Sequence, residues 1–249
     1  MPWRAAASPG SRAAFRRSCT RRPPAPSSGW WGAERRVLPE PPLLLITDRA
    51  LARGGLAQVA VEACAGGCRW ISLREKDLPA AEQIVQFAHL REATRAFSPR
   101  LTLHGPAELA RAAGADGVHL SGGGHAGAAR AMLGADALVG LSIHTLAEAR
   151  AADGVSLDYI TVSPVFLTAS KPGYGPALGT GGLAAFAAAS PVPVIALAGI
   201  TPANAATCRD AGAAGLAVMG SVMRAEDPAA EFSALLAAWG SKGPNNAPA

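Results

Sequence analysis

The feature that most constrains this chain is a rhythm. From Pro42 onward, eight short apolar runs alternate with stretches of helical pattern. The runs are LLLIT (43–47), WISLR (70–74), LTLH (101–104), GVHL (117–120), LVGLS (138–142), YITVS (159–163), VIALA (194–198) and GLAVMG (215–220). They lack the regular polar alternation of a strand with one wet face, so each predicts a strand covered on both sides, as in a parallel sheet. Helical stretches are expected from Gly54-Gly55 to Ala65, from Pro79 to Phe97, through Ala113, near Ala128–Leu133, at Leu146–Ala152, Leu183–Ala189 and Asn204–Ala211, and about Pro228–Trp239. Eight such units in about 200 residues predict an α/β fold, a (β/α)8 TIM barrel. A doubly wound sheet is the alternative, but it uses fewer strands and a glycine-rich first turn, which TDRALARGG does not supply. An internal echo agrees with the barrel. AGADGVHL (113–120) and AGAAGLAV (211–218) lie 98 residues apart, half a barrel of this size, and each places a glycine where a helix must end in a left-handed turn.

The chain has 249 residues, 49% of them hydrophobic and 16% charged, which is a globular composition with room for a core that needs no staples. No apolar run approaches the roughly 20 residues of a membrane helix. The net charge of +5 is localised. Residues 1–40 hold eight arginines against Glu34 and Glu40, so they carry +6 and the rest sums to −1. A basic tail is no argument for nucleic-acid binding by the folded part. Residues 1–40, rich in Arg, Pro, Ser and Ala, read as a disordered tail, with the barrel over 41–241 and a disordered C-terminus over 242–249. An upstream start codon in a GC-rich genome accounts for the tail better than a transit peptide, because its prolines interrupt any amphipathic helix. Cys64 and Cys68 have no second pair to complete a zinc site, and Cys19 and Cys208 stand apart, so buried thiols in a reducing cytoplasm are expected. Homo-oligomerisation stays open.

Barrel enzymes do their chemistry at the carboxyl ends of the strands. Those ends carry Thr47-Asp48-Arg49, Arg74-Glu75-Lys76, His104, Ser121, Ser142 and His144, Ser163, Gly199 and Gly220-Ser221. Gly199 follows the seventh run and Gly220-Ser221 the eighth, the usual place for a barrel phosphate site built from backbone N–H groups. Arg74 and Lys76 suit a phosphate or carboxylate, unless Glu75 and Asp77 pair with them in a solvated turn. Thr168, Ser170 and Lys171 offer hydroxyls and an ammonium to an anion. His144 is a candidate general acid/base, since an imidazole titrates near neutral pH. His104 and His119 compete for that role; His125 is expected in solvent.

These residues carry a resemblance. LLLITDR, SLREK, AGADGVHL, LSIHTLAEA, TASKPGYGPALG, VIALAGI and AGAAGLAVMGSV, in this order from about Leu43 to Ala238, resemble the thiamine phosphate synthase/TenI-like family. The resemblance implies a (β/α)8 barrel that binds a thiazole phosphate, in one of two branches. Synthases join aminopyrimidine pyrophosphate to thiazole phosphate with Mg²⁺. Thiazole tautomerases aromatise a carboxylated thiazole phosphate by moving a proton, without metal. Synthases carry an aspartate at the end of the third strand and another after the fourth; here those places read His104-Gly105 and Ser121–Gly124. The synthase glutamine is Ser72, the usual arginine after the third strand is Pro106, and a glycine pair is Ala198-Gly199. Mg²⁺ prefers carboxylate oxygens, so the expectation is a metal-free tautomerase with no cofactor. His144 would move the proton and His104 would assist. Gly199, Gly220 and Ser221 would hold the phosphate, and Arg74, Lys76 or Lys171 the carboxylate. A Mg²⁺-dependent synthase is the alternative, and a catalytically silent phosphate-binding barrel a further one.

Overall fold

The computed structural model describes residues 37–168 and 176–240. The first half of the chain forms β1 (Leu43–Ile46), α1 (Leu56–Ala65), β2 (Trp70–Leu73), α2 (Ala80–Thr94), β3 (Arg100–His104), α3 (Ala107–Ala112), β4 (Gly117–Leu120) and α4 (Ala126–Leu133). The second half forms β5 (Leu138–Ile143), α5 (Leu146–Arg150), β6 (Tyr159–Val162), α6 (Gly179–Ala189), β7 (Val194–Leu197), α7 (Pro202–Asp210), β8 (Gly215–Val218), α8 (Gly220–Met223) and α9 (Pro228–Gly240). Every strand pairs in parallel with the next, and β8 closes on β1 through Leu43 opposite Leu216. This is the expected (β/α)8 barrel.

Both faces of the strands are apolar, each for its own reason. Leu44, Ile46, Trp70, Leu138, Tyr159, Ile195 and Ala217 fill the barrel interior. Their neighbours, such as Leu43, Leu45, Ile71 and Leu73, turn outward and pack beneath the helices. The sequence echo is a structural repeat. Gly114 and Gly212 have φ of 63° and 91°, and the residue after each donates back to the helix it leaves: Ala115 to Ala110 at 2.9 Å and Ala213 to Cys208 at 3.1 Å.

The largest departures from the pattern-based reading are at α6, α7 and α8. Helix α6 starts four residues early, within GTGG, because the Leu178 and Gly179 N–H groups are held by the Pro164 and Val165 carbonyls, at 2.9 Å each. Helix α7 starts at Pro202, where proline suits a first turn and Thr201 caps the helix together with Asn204. The single turn α8 lies inside what reads as a plain glycine turn. Cys64, Cys68 and Cys208 are buried free thiols, as expected. The expected tail, apart from 37–40, and residues 242–249 lie outside the described residues. No described helix is long and apolar enough to cross a membrane.

Candidate active site

A cavity of about 400 Å³ opens at the carboxyl ends of the strands. It gathers Arg74, Lys76, His104, His144, Thr168, Gly199, Gly220 and Ser221, the sequence candidates that fall on described residues. Ser170 and Lys171 lie outside the described residues. Ser121, Ser142 and Ser163 also line it. Pattern reading missed Arg224 and Leu167 among the lining residues. Arg224 follows Gly220 by four residues, one helical turn, and that spacing is the signal α8 would have supplied.

The β1 and β2 ends form one buttressed corner. Glu75, 2% exposed, accepts from the Thr47 hydroxyl at 2.8 Å and from Arg49, whose guanidinium also grips Asp77 at 2.7 Å. Arg49 holds the Asp77 carboxyl below the usual carboxylate range. The carboxylates of this turn are thus engaged by Arg49, while Arg74 and Lys76 line the cavity. Lys76 Nζ donates to Ser121 Oγ at 3.1 Å, which ties the β2 loop to the β4 loop.

On the opposite rim the backbone carries the geometry. Gly199 has φ of 68°, and a Cβ there would stand 2.6 Å from the Leu167 carbonyl oxygen and 2.7 Å from Phe166 Cβ. Asn204 Nδ2 donates to the Gly199 carbonyl at 2.8 Å, while its Oδ1 accepts from Thr201 N–H at 2.9 Å. The turn is therefore pinned from α7. Gly220 opens α8 next to it.

The histidines divide by depth. His144 is exposed at the mouth, where a Cβ on Gly122 would meet its Cδ2 and Nε2 at 3.5 Å. Its backbone N–H donates to Glu148, which also caps α5 through Thr145. Those bonds, from the His144 N–H first and then from Thr145, hold the Glu148 carboxyl below its ordinary range. His104 lies at the floor, 7% exposed, its ring 4.6 Å from that of His119. His119 faces the barrel interior, and His125 is exposed. A second cavity of about 480 Å³ adjoins the first through Lys76, His104, Ser121 and Gly122, and runs between Gly105-Pro106 and the Gly123-Gly124 loop.

Residues 43–222 match the family model described as thiamine monophosphate synthase. The chain belongs to this family. That places it among the enzymes of thiamine biosynthesis. It is 43% identical over 197 residues to a putative thiamine-phosphate synthase of Geobacter sulfurreducens, covering 78% of this chain and 92% of that one. It is 38% identical over 196 residues to the thiamine-phosphate synthase of Haloarcula marismortui, covering 77% and 93%. The thiamine phosphate pyrophosphorylase structure from Pyrococcus furiosus superposes with a TM-score of 0.68 at 29% identity, covering 79% of this chain and 94% of that one.

The family resemblance brings Mg²⁺ into question, and the donor set answers it. No carboxylate lines either cavity among the described residues. No cluster of three or more His, Cys, Asp or Glu side chains suited to a metal occurs among them either. A hard cation wants oxygen ligands, commonly one or two carboxylates. The described residues that line the two cavities do not fit Mg²⁺.

Proposed function

We propose that this chain is a metal-independent thiazole tautomerase of thiamine biosynthesis. The observation that carries the reading is the acid-free lining: the two places where a synthase keeps aspartates are His104-Gly105 and Ser121–Gly124, and cations and hydroxyls surround them. Such a lining suits an anionic substrate held directly by the protein. Gly199, Gly220 and Ser221 receive the phosphate, with the Thr168 hydroxyl in the same lining. Arg74 and Lys76 take the carboxylate by charge-assisted hydrogen bonds. His144 removes a proton from the ring carbon and returns it to the exocyclic carbon. The double bond moves from the exocyclic position into the ring, so the thiazole becomes aromatic with no net change of oxidation state. His104, at the floor, assists by orienting the ring. A cytoplasmic setting goes with this reading, since it keeps the buried thiols reduced.

The names of the relatives favour the other branch, a thiamine-phosphate synthase. On that reading the pyrophosphate would rest on Arg74, Lys76 and Lys171.

The test is His144→Ala, assayed on the carboxylated thiazole phosphate by the rise of the aromatic product's absorbance. A single general acid/base contributes about 10²–10⁴ in rate, so a loss in that range with an unchanged unfolding midpoint is expected. Wild-type turnover that survives the substitution removes His144 from the role.

A further inference from the structure

Below the cavity floor lies a buried polar row that the proton transfer leaves unused. His119 on β4 is 1% exposed. Its Nδ1 stands 3.0 Å from the Tyr159 hydroxyl and its Nε2 2.9 Å from Ser142 Oγ. The Thr161 hydroxyl lies 3.3 Å from the same Nε2 and donates to Ser142 Oγ at 3.4 Å. Ser142 lines the cavity, so the row runs from the barrel interior to the ligand space.

The direction of its protons follows from burial. Desolvation raises the Tyr159 phenol far above its ordinary range, so it keeps its proton. Burial, with Lys76 as the lesser cause, pushes His119 down to about 3, so its ring is neutral and carries one N–H. Among the described residues, His119 Nδ1 is the hydrogen-bond partner of the Tyr159 hydroxyl. A proton on Nδ1 would leave that phenolic O–H without an acceptor, an arrangement native interiors avoid. The ring proton therefore sits on Nε2 and points at Ser142 Oγ. Ser142 accepts from His119 and, more distantly, from Thr161. Ser142 also lines the cavity, so its own proton has an acceptor within reach there once a ligand is bound.

We infer that Tyr159 and His119 are positioning residues that hold the Ser142 hydroxyl as a hydrogen-bond donor toward an acceptor atom of the bound substrate. The identity of that substrate rests on the proposed function; the direction of the hydroxyl does not. A polar row satisfied at each step fixes orientation more firmly than a lone serine.

The first test uses the full chain labelled with ¹⁵N-histidine. Long-range proton–nitrogen correlation spectra should show His119 as the neutral Nε2–H tautomer, unchanged between about pH 8 and pH 5, where an ordinary imidazole titrates. An Nδ1–H tautomer, or an imidazolium in that range, overturns the inference. The second test titrates thiazole phosphate into wild type, Ser142→Ala, Tyr159→Phe and the double variant, each checked for an intact unfolding transition. Ser142→Ala should weaken binding about fivefold to tenfold, the size of one net hydrogen bond. Tyr159→Phe should also weaken it, and the double variant should be no weaker than Ser142→Ala, because both act through one hydroxyl. Fully additive losses overturn the coupling. A wild-type chain that binds no thiazole phosphate overturns the substrate reading and the ligand half of this inference, while the tautomer still decides where the hydroxyl points.

Discussion

Two neighbouring residues on the β7 turn should respond with opposite signs. Ala198 has φ of 80°, a conformation that penalises a Cβ. Left-handed backbone costs an L-residue about 1–2 kcal/mol, and glycine loses about 0.4–1 kcal/mol through its freer unfolded chain. Ala198→Gly should therefore stabilise the protein slightly, by up to about 1 kcal/mol in urea unfolding. Gly199→Ala should destabilise it by about 1–3 kcal/mol, since its Cβ would meet the Leu167 carbonyl at 2.6 Å in an unfavourable φ. It should weaken phosphate binding as well, because the turn that lines the cavity must shift. Equal and small effects at both positions would show that this turn is not under the strain described.

At the scale of elements, α5 carries the loop that presents His144. Thr145 and Glu148 form a reciprocal capping box, and Glu148 also accepts from the His144 N–H. Thr145→Ala should cost about 1 kcal/mol in denaturant unfolding. The Glu148 carboxyl is depressed in the folded state, so what it adds is present above its unfolded value and fades as pH falls through the folded one. The cost of Thr145→Ala should accordingly shrink below about pH 4. A cost that is flat from pH 7 to about pH 3 would contradict the box. Elements were also where pattern reading was weakest. The glycines of GTGG hid the start of α6, since propensity argues against a helix there and only anchoring by the Pro164 and Val165 carbonyls builds one. The turn α8 was too short to leave a period, so Arg224 could not be placed at the mouth.

For the whole molecule, the barrel was legible because its constraint is global. Eight two-sided apolar strands, spaced by helices, admit few closed arrangements. The strand-end rule then delivered His104, His144, Arg74, Lys76, Gly199, Gly220 and Ser221 to one cavity. What the rule could not deliver was pairing across strands. His119 reads as a mid-strand residue, and its bonds to Tyr159 on β6 and Ser142 on β5 exist only once the barrel closes. The role of Arg49 was hidden in the same way: its partners Glu75 and Asp77 lie across the β1–β2 pair, so the anion-facing assignment of Arg74 and Lys76 rested on residues remote in sequence.

On the proposed function, this site works on a thiazole phosphate without a metal. The most direct measurement is turnover of the carboxylated thiazole phosphate by the purified chain in EDTA, followed by proton NMR. The same chain is given aminopyrimidine pyrophosphate and thiazole phosphate in parallel, with Mg²⁺. Aromatised product is expected in EDTA, at a rate that added Mg²⁺ leaves unchanged, with no thiamine phosphate in the parallel reaction. Thiamine phosphate formed only with Mg²⁺, and no tautomer turnover in EDTA, would contradict that function.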